Sequence, residues 1–127
     1  MKFLLDTHTF IWFLEGSERL PKKLVERIRD LNNECYVSIA SLWELSIKIS
    51  SGKLDLQIEF KDLENTIDIL SLKLLPVNIM HINEVFKLDF HHRDPFDRMI
   101  IAQSITENLT VISVDKNFSL YPIKLLW

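Results

Sequence analysis

Two rhythms of apolar residues alternate along this chain. Short, nearly unbroken apolar runs predict strands at Lys2 to Leu5 (KFLL), Glu34 to Ser38 (ECYVS), Leu72 to Val77 (LKLLPV), Thr110 to Val114 (TVISV) and the closing YPIKLLW, where Pro122 suits an edge strand. Between them, apolar residues return every three or four positions, the spacing of one face of a helix. This predicts helices over Thr7 to Gly16, Pro21 to Leu31, Ile39 to Ser50, Phe60 to Leu70, Asn78 to Leu88 and Asp94 to Asn108. Punctuation agrees with the rhythm: Pro21 suits a first turn, and Gly16 and Gly52 follow helix ends. The second helix is expected to bury Leu24, Val25, Ile28 and Leu31, the fourth Leu63, Ile67 and Leu70.

Short apolar strands alternating with helices imply βαβ units and a parallel sheet covered on both faces. In such sheets ligands bind beyond the carboxyl ends of the strands, so residues just after each strand carry the most functional weight. No repeat, linker or low-complexity tract interrupts the pattern. A length of 127 residues suits a single domain over residues 1–127.

Composition narrows the chemistry. A hydrophobic fraction of 47% with 26% charged residues describes an ordinary globular protein, and a net charge of −3 gives no basic field for nucleic acid. The single cysteine, Cys35, has no internal disulfide partner, which fits a buried thiol and a reducing, cytoplasmic compartment. Asp6 interrupts the apolar N-terminus, which is therefore expected neither to cross a membrane nor to act as a signal peptide. With only two glycines, far apart, the chain lacks both the Walker A loop and the GxGxxG fingerprint. Phosphate chemistry here needs something other than a glycine cradle.

Acids stand where that chemistry could sit. Asp6 follows the first strand, Glu44 lies in the helix after the second, Asp94 and Asp97 open the long helix, and Asp115 follows TVISV. Each has a local reading. Asp94 with Pro95 at the next position is a helix cap, and Asp6 and Asp115 also suit caps. Glu44 stands four residues before Lys48, the spacing of a surface ion pair. Asp97 is harder to explain, because it borders Ile100 and Ile101 on a helix that is apolar on several sides. Carboxylates gathered at one sheet end repel and need protons or cations. An all-oxygen set without convergent Cys or His favours Mg²⁺ or Mn²⁺ over zinc. Such ions activate water and hold phosphates, which points to phosphodiester hydrolysis.

LLDTHTFIW, SIASLWELSIK, HHRDPFDRMIIAQS and VISVDKNF, in this order and at these separations, resemble a PIN domain, and within that family the VapC-type toxins of bacterial toxin–antitoxin pairs. The likeness runs over essentially the whole chain. It implies an α/β/α sandwich around a central, mainly parallel sheet of four to five strands. It also implies an endoribonuclease that uses Mg²⁺ or Mn²⁺, acts on RNA, forms a homodimer and pairs with a VapB-like or Phd-like antitoxin. By position, Asp6, Glu44, Asp97 and Asp115 match the family's catalytic acids; Asp6, Asp97 and Asp115 are expected to ligate the ion, with Glu44 as ligand or water-positioning base. Thr7 and Ser113 match small hydroxyl positions that orient ligands, and Asp94 is expected to support the site as a cap. Without these five acids, 15 basic residues face 13 acidic ones, so the charge objection weakens. Arg93, Arg98 and Lys116 beside the motifs are expected to meet phosphates or to be solvated.

The remaining residues of interest are read more plainly. His8 is expected to be a hydrogen-bonded structural histidine. His91 and His92 are expected to touch RNA or be solvated, and not to bind metal. Trp12, Phe13 and Trp43 are expected in the core, or else on a dimer or antitoxin surface. A phosphatase with an aspartyl nucleophile would want a second Asp where His8 stands, and a phosphoacceptor receiver would want an adjacent acid pair after the first strand. The competing reading of another class is a non-catalytic module that binds RNA or a protein, its acids acting as caps.

Overall fold

The computed structural model describes residues 1–127. Five strands, β1 (Lys2–Leu5), β2 (Glu34–Ser38), β3 (Lys73–Leu75), β4 (Thr110–Ile112) and β5 (Leu125–Leu126), form one sheet in the order β3-β2-β1-β4-β5. Every neighbouring pair is parallel. Six helices accompany it: α1 (Thr7–Glu15), α2 (Lys22–Arg29), α3 (Ile39–Ser50), α4 (Leu63–Ile69), α5 (Ile79–Lys87) and α6 (Pro95–Thr106).

Side chains alternate across a strand, so β1 feeds two cores. Phe3 and Leu5 join Cys35, Val37 and Ile112 beneath α1, α2 and α4, through Phe10, Leu24, Ile28, Leu63 and Ile67. Leu4 turns the other way and packs with Val111, Leu75, Ile100 and Ile101 of α6, and with Phe118 and Tyr121. The result is three layers, helix on sheet on helix. Cys35 is buried in the first core, and burial pushes its thiol up to about 11, the mark of an inert structural cysteine.

The sheet order places β1 at the centre, with the chain moving to one side through β2 and to the other through β4. Leu5 pairs with Val37 on one side and Ile112 on the other, so the three strands end together. The crevice where strand order reverses therefore opens beside Asp6.

Several boundaries differ from those the periodicity predicts, each for a local reason. Pro21 is the residue before α2 rather than its first turn, with ψ at 143°. α2 stops at Arg29 because Asp30 turns extended and its side chain accepts the Asn32 amide; Leu31 is left 82% exposed. The stretch from Phe60 opens as a 3-10 turn over Phe60–Asp62 before becoming α4, which ends short of Leu70. β4 runs only to Ile112, although the Ser113 amide still donates to the Leu126 carbonyl at 3.2 Å, and β5 shrinks to two residues beyond Pro122. Trp43 is not core: it is 64% exposed, with its ring edge-on to Phe96 at 5.1 Å.

Candidate functional site

Asp6 is the pivot of the site. It follows β1 directly and is buried, and its two oxygens have different partners. Oδ1 accepts the Thr9 amide at 2.7 Å and so caps α1, while Oδ2 accepts the Ser113 hydroxyl from the end of β4. Burial pushes the Asp6 carboxyl above its ordinary value, against the lowering effect of these bonds. Thr9 in turn donates its hydroxyl to the Ile112 carbonyl at 3.0 Å, which ties α1 to the same strand end.

Ser113 also accepts the Asp115 amide at 3.0 Å, so one hydroxyl joins the first acid to the loop that carries the last. Asp115 opens a 3-10 turn over Lys116–Leu120 and accepts the Asn117 amide at 2.9 Å.

Glu44 is reached from the other side of β1. Ser38 accepts the Ala40 amide and caps α3, and the helix then carries Glu44 inward to a buried position. Thr7 donates to Glu44 Oε1 at 2.8 Å and shares a 2.9 Å contact with the Ser41 hydroxyl. Lys48 takes Oε2 at 2.7 Å. The ion pair suggested by the i,i+4 spacing thus exists, but on a carboxylate that faces the site rather than solvent. Ser41 carries no signal of its own in the sequence, where it lies in SIASLWELSIK without an adjacent acid.

Asp94 and Asp97 divide as their positions suggest. Asp94 Oδ1 accepts the amides of Phe96 and Asp97 at 2.9 and 3.0 Å, with Pro95 as the first helical residue: a complete N-cap. Asp97 makes no such bond. Its side chain is 18% exposed, and Oδ2 lies 3.5 Å from His92 Nε2. Burial, then the charges of Asp94, Glu44, Asp115 and Asp6, push its carboxyl up to about 8. The acids that are far apart in sequence therefore act electrostatically on one group. No three of them share the close spacing of a coordination shell, and Asp6 and Glu44 are held by hydroxyl, amide and ammonium donors.

Such a site can hold a positive charge. Its donors are hard oxygens, the chain's one thiol, Cys35, is buried in the core, and the site carries more negative charge than its own Lys48 balances. That donor set fits Mg²⁺ or Mn²⁺.

The structure corrects three expectations for the flanking residues. Arg98 is neither solvated nor free for phosphate: it is buried, and its guanidinium donates to the carbonyls of Asp89, Val85 and Leu88 and to the Tyr121 hydroxyl. It also lies over the Phe90 ring, 4.0 Å from the centroid. Arg93 and Lys116 are exposed. His8 is exposed rather than built into the interior, with its ring 6.0 Å from that of Trp12. His92 is not solvated: its side chain is 11% exposed, and Nδ1 meets the Tyr121 hydroxyl at 2.8 Å. His91 stays exposed against Tyr121.

The chain is thus a three-layer parallel α/β fold with acids gathered beyond the central strand. The PIN domain family model matches residues 3–124, and the chain belongs to that family. Solved structures agree in fold. VapBC2 from Rickettsia felis bound to a promoter DNA fragment superposes with a TM-score of 0.73 at 18% identity, covering 100% of this chain and 99% of that one. VapBC-1 from nontypeable Haemophilus influenzae gives 0.72 at 21% identity, with 99% and 97% covered. FitAcB from Neisseria gonorrhoeae gives 0.68 at 18%, with 98% and 96% covered. No curated protein sequence matches the chain.

Proposed function

We propose that this chain is a Mg²⁺- or Mn²⁺-dependent endoribonuclease, the toxin of a type II toxin–antitoxin pair. The observation that carries the reading is Asp97. Every other acid is occupied structurally, since Asp6, Asp94 and Asp115 cap and Glu44 is paired. Asp97 is not, and burial together with four neighbouring carboxylates disfavours its charged form. Capping and pairing explain the others and leave this one unexplained.

In this reading Asp6, Asp97 and Asp115 hold the ion, and Glu44 ligates it or positions water. The ion would activate water and stabilise the charge that develops on the phosphate. Thr7 and Ser113 orient Glu44 and Asp6 through their hydroxyls, and Asp94 fixes the helix start that aims Asp97. Arg93 and Lys116 are exposed beside these motifs and suit phosphate contacts. RNA as the substrate follows the resemblance to VapC-type toxins.

The partner proposals rest on surface. A cleft of about 420 Å³ between α1 and α2, with Trp12, Phe13, Leu20 and Val25 beside the charged Glu18, Lys22 and Arg29, suits an amphipathic segment of a VapB-like or Phd-like antitoxin. Structures of the same fold include a toxin–antitoxin complex from Klebsiella pneumoniae. Ile39, Trp43 and Ile47 form an exposed apolar stripe on α3, and Ile82 and Phe86 another on α5, which fits burial between two copies in a homodimer. No helix is long and apolar enough to cross a membrane, and the proposed setting is the cytoplasm.

The test is cleavage of single-stranded and structured RNA by wild type and Asp97→Asn, each with Mg²⁺ and with Mn²⁺. Metal-dependent cutting by wild type alone supports the assignment. Inert wild type with both ions, or equal cutting by the variant, refutes it.

A further inference from the structure

A chain of side chains leads from the core to Asp97, and its direction is set by the chemistry of its members. Arg98 Nη1 donates to the Tyr121 hydroxyl at 3.1 Å, and an arginine never accepts. Tyr121 is buried, and the only other polar group at its hydroxyl is His92 Nδ1, at 2.8 Å. If Nδ1 carried a proton, the hydroxyl would face two donors, and its own hydrogen would be buried without an acceptor. The satisfied arrangement has Tyr121 donating to a bare Nδ1. The ring proton then sits on Nε2, a buried nitrogen with no hydrogen bond of its own. Nε2 lies 3.5 Å from Asp97 Oδ2.

We propose that His92 is a positioning residue for Asp97: Arg98 and Tyr121 fix its Nε2–H tautomer, which presents a donor to one carboxylate oxygen and leaves the other for the ion. This deepens the metal-site reading and rests on it. A separation of 3.5 Å is long for a hydrogen bond, as donor contacts to a ligating group often are before the site is loaded. Donors behind a ligating carboxylate restrict its rotation, and their loss weakens metal affinity by roughly tenfold or more. The same chain gives Arg98 a purpose beyond packing, because its burial is what orients Tyr121.

Two measurements test this. Long-range ¹H–¹⁵N NMR of the metal-free protein reports which nitrogen of neutral His92 carries the proton; Nε2–H is expected, and Nδ1–H overturns the proposal whatever the metal does. Mn²⁺ affinity, read from the free-ion EPR signal, then compares wild type, His92→Gln and His92→Phe, with thermal melts confirming the fold. His92→Gln can still present an amide donor and should bind within a few-fold of wild type, whereas His92→Phe should lose roughly tenfold. Equal affinity of His92→Phe and wild type overturns the positioning role. If His92→Phe does not fold, a loss in His92→Gln as large as roughly tenfold overturns it, because the retained donor failed to rescue. Wild type that binds no Mn²⁺ overturns the metal reading and the positioning role with it, a failure told apart from the relay's own by an Nε2–H spectrum.

Discussion

Thr7 and Glu44 meet through a 2.8 Å hydrogen bond from the Thr7 hydroxyl to Oε1, so the first residue of α1 holds the acid of α3. Both are buried, and Ser41 shares the same hydroxyl at 2.9 Å. Thr7→Val keeps the shape and strips the donor, leaving a buried carboxylate oxygen without a partner. Urea denaturation should show a loss on the order of 1–3 kcal/mol, and Thr7→Ser should recover most of it.

Asp94→Asn separates cap from charge. Asparagine caps a helix about as well as aspartate, so thermal stability should change by less than about 1 kcal/mol. Asp94 is the largest like-charge contributor at Asp97, so removing its charge should bring the Asp97 carboxyl below its wild-type value of about 8. Carboxyl ¹³C shifts followed against pH report both values.

The same elevated value sets a pH dependence. Unfolded, Asp97 titrates near the ordinary 3.8; folded and metal-free, near 8. Between those values the folded state binds the extra proton, so the Asp97 contribution to stability declines as pH rises from about 4 to about 8 and is flat above. Asp97→Asn should therefore raise the stability of metal-free protein at about pH 8 relative to wild type, and flatten that decline. A simple capping role for Asp97 predicts the opposite sign, a small loss.

Arg98→Lys tests whether that residue serves structure or phosphate. Lysine cannot reproduce a planar fork bonded to three carbonyls and a hydroxyl while stacked on Phe90. Denaturation should show a loss on the order of 2 kcal/mol or more. Arg93→Ala, at an exposed site, should alter stability by no more than about 0.5 kcal/mol.

What the sequence makes legible follows from where the physics is local. Alternating apolar rhythms determine the strands and helices, and parallel pairing then aligns the ends of β1, β2 and β4, so Asp6 and Asp115 can be placed beside one another on paper. Asp94 is readable because a cap needs only its own next three residues. Arg98 is not readable in this way. It follows Asp97 in a motif that looks like a surface of charges, yet its partners lie on Val85, Leu88, Asp89 and Tyr121. His92 is hidden for the same reason, since Tyr121 reaches it across 29 residues. Leu31 shows the converse error: its spacing from Ile28 continues a helical face, and an Asx turn at Asp30 ends the helix before that face can form.

Titration of Mn²⁺ into metal-free wild type and Asp97→Asn at about pH 7, in two buffers of different ionisation heat, tests the metal site most directly. Because Asp97 is largely protonated at that pH, wild type should bind the ion with release of a substantial fraction of a proton. Asp97→Asn should bind far more weakly, with little proton release. Wild type that does not bind, or a variant that binds as tightly as wild type, contradicts a metal site built on Asp97.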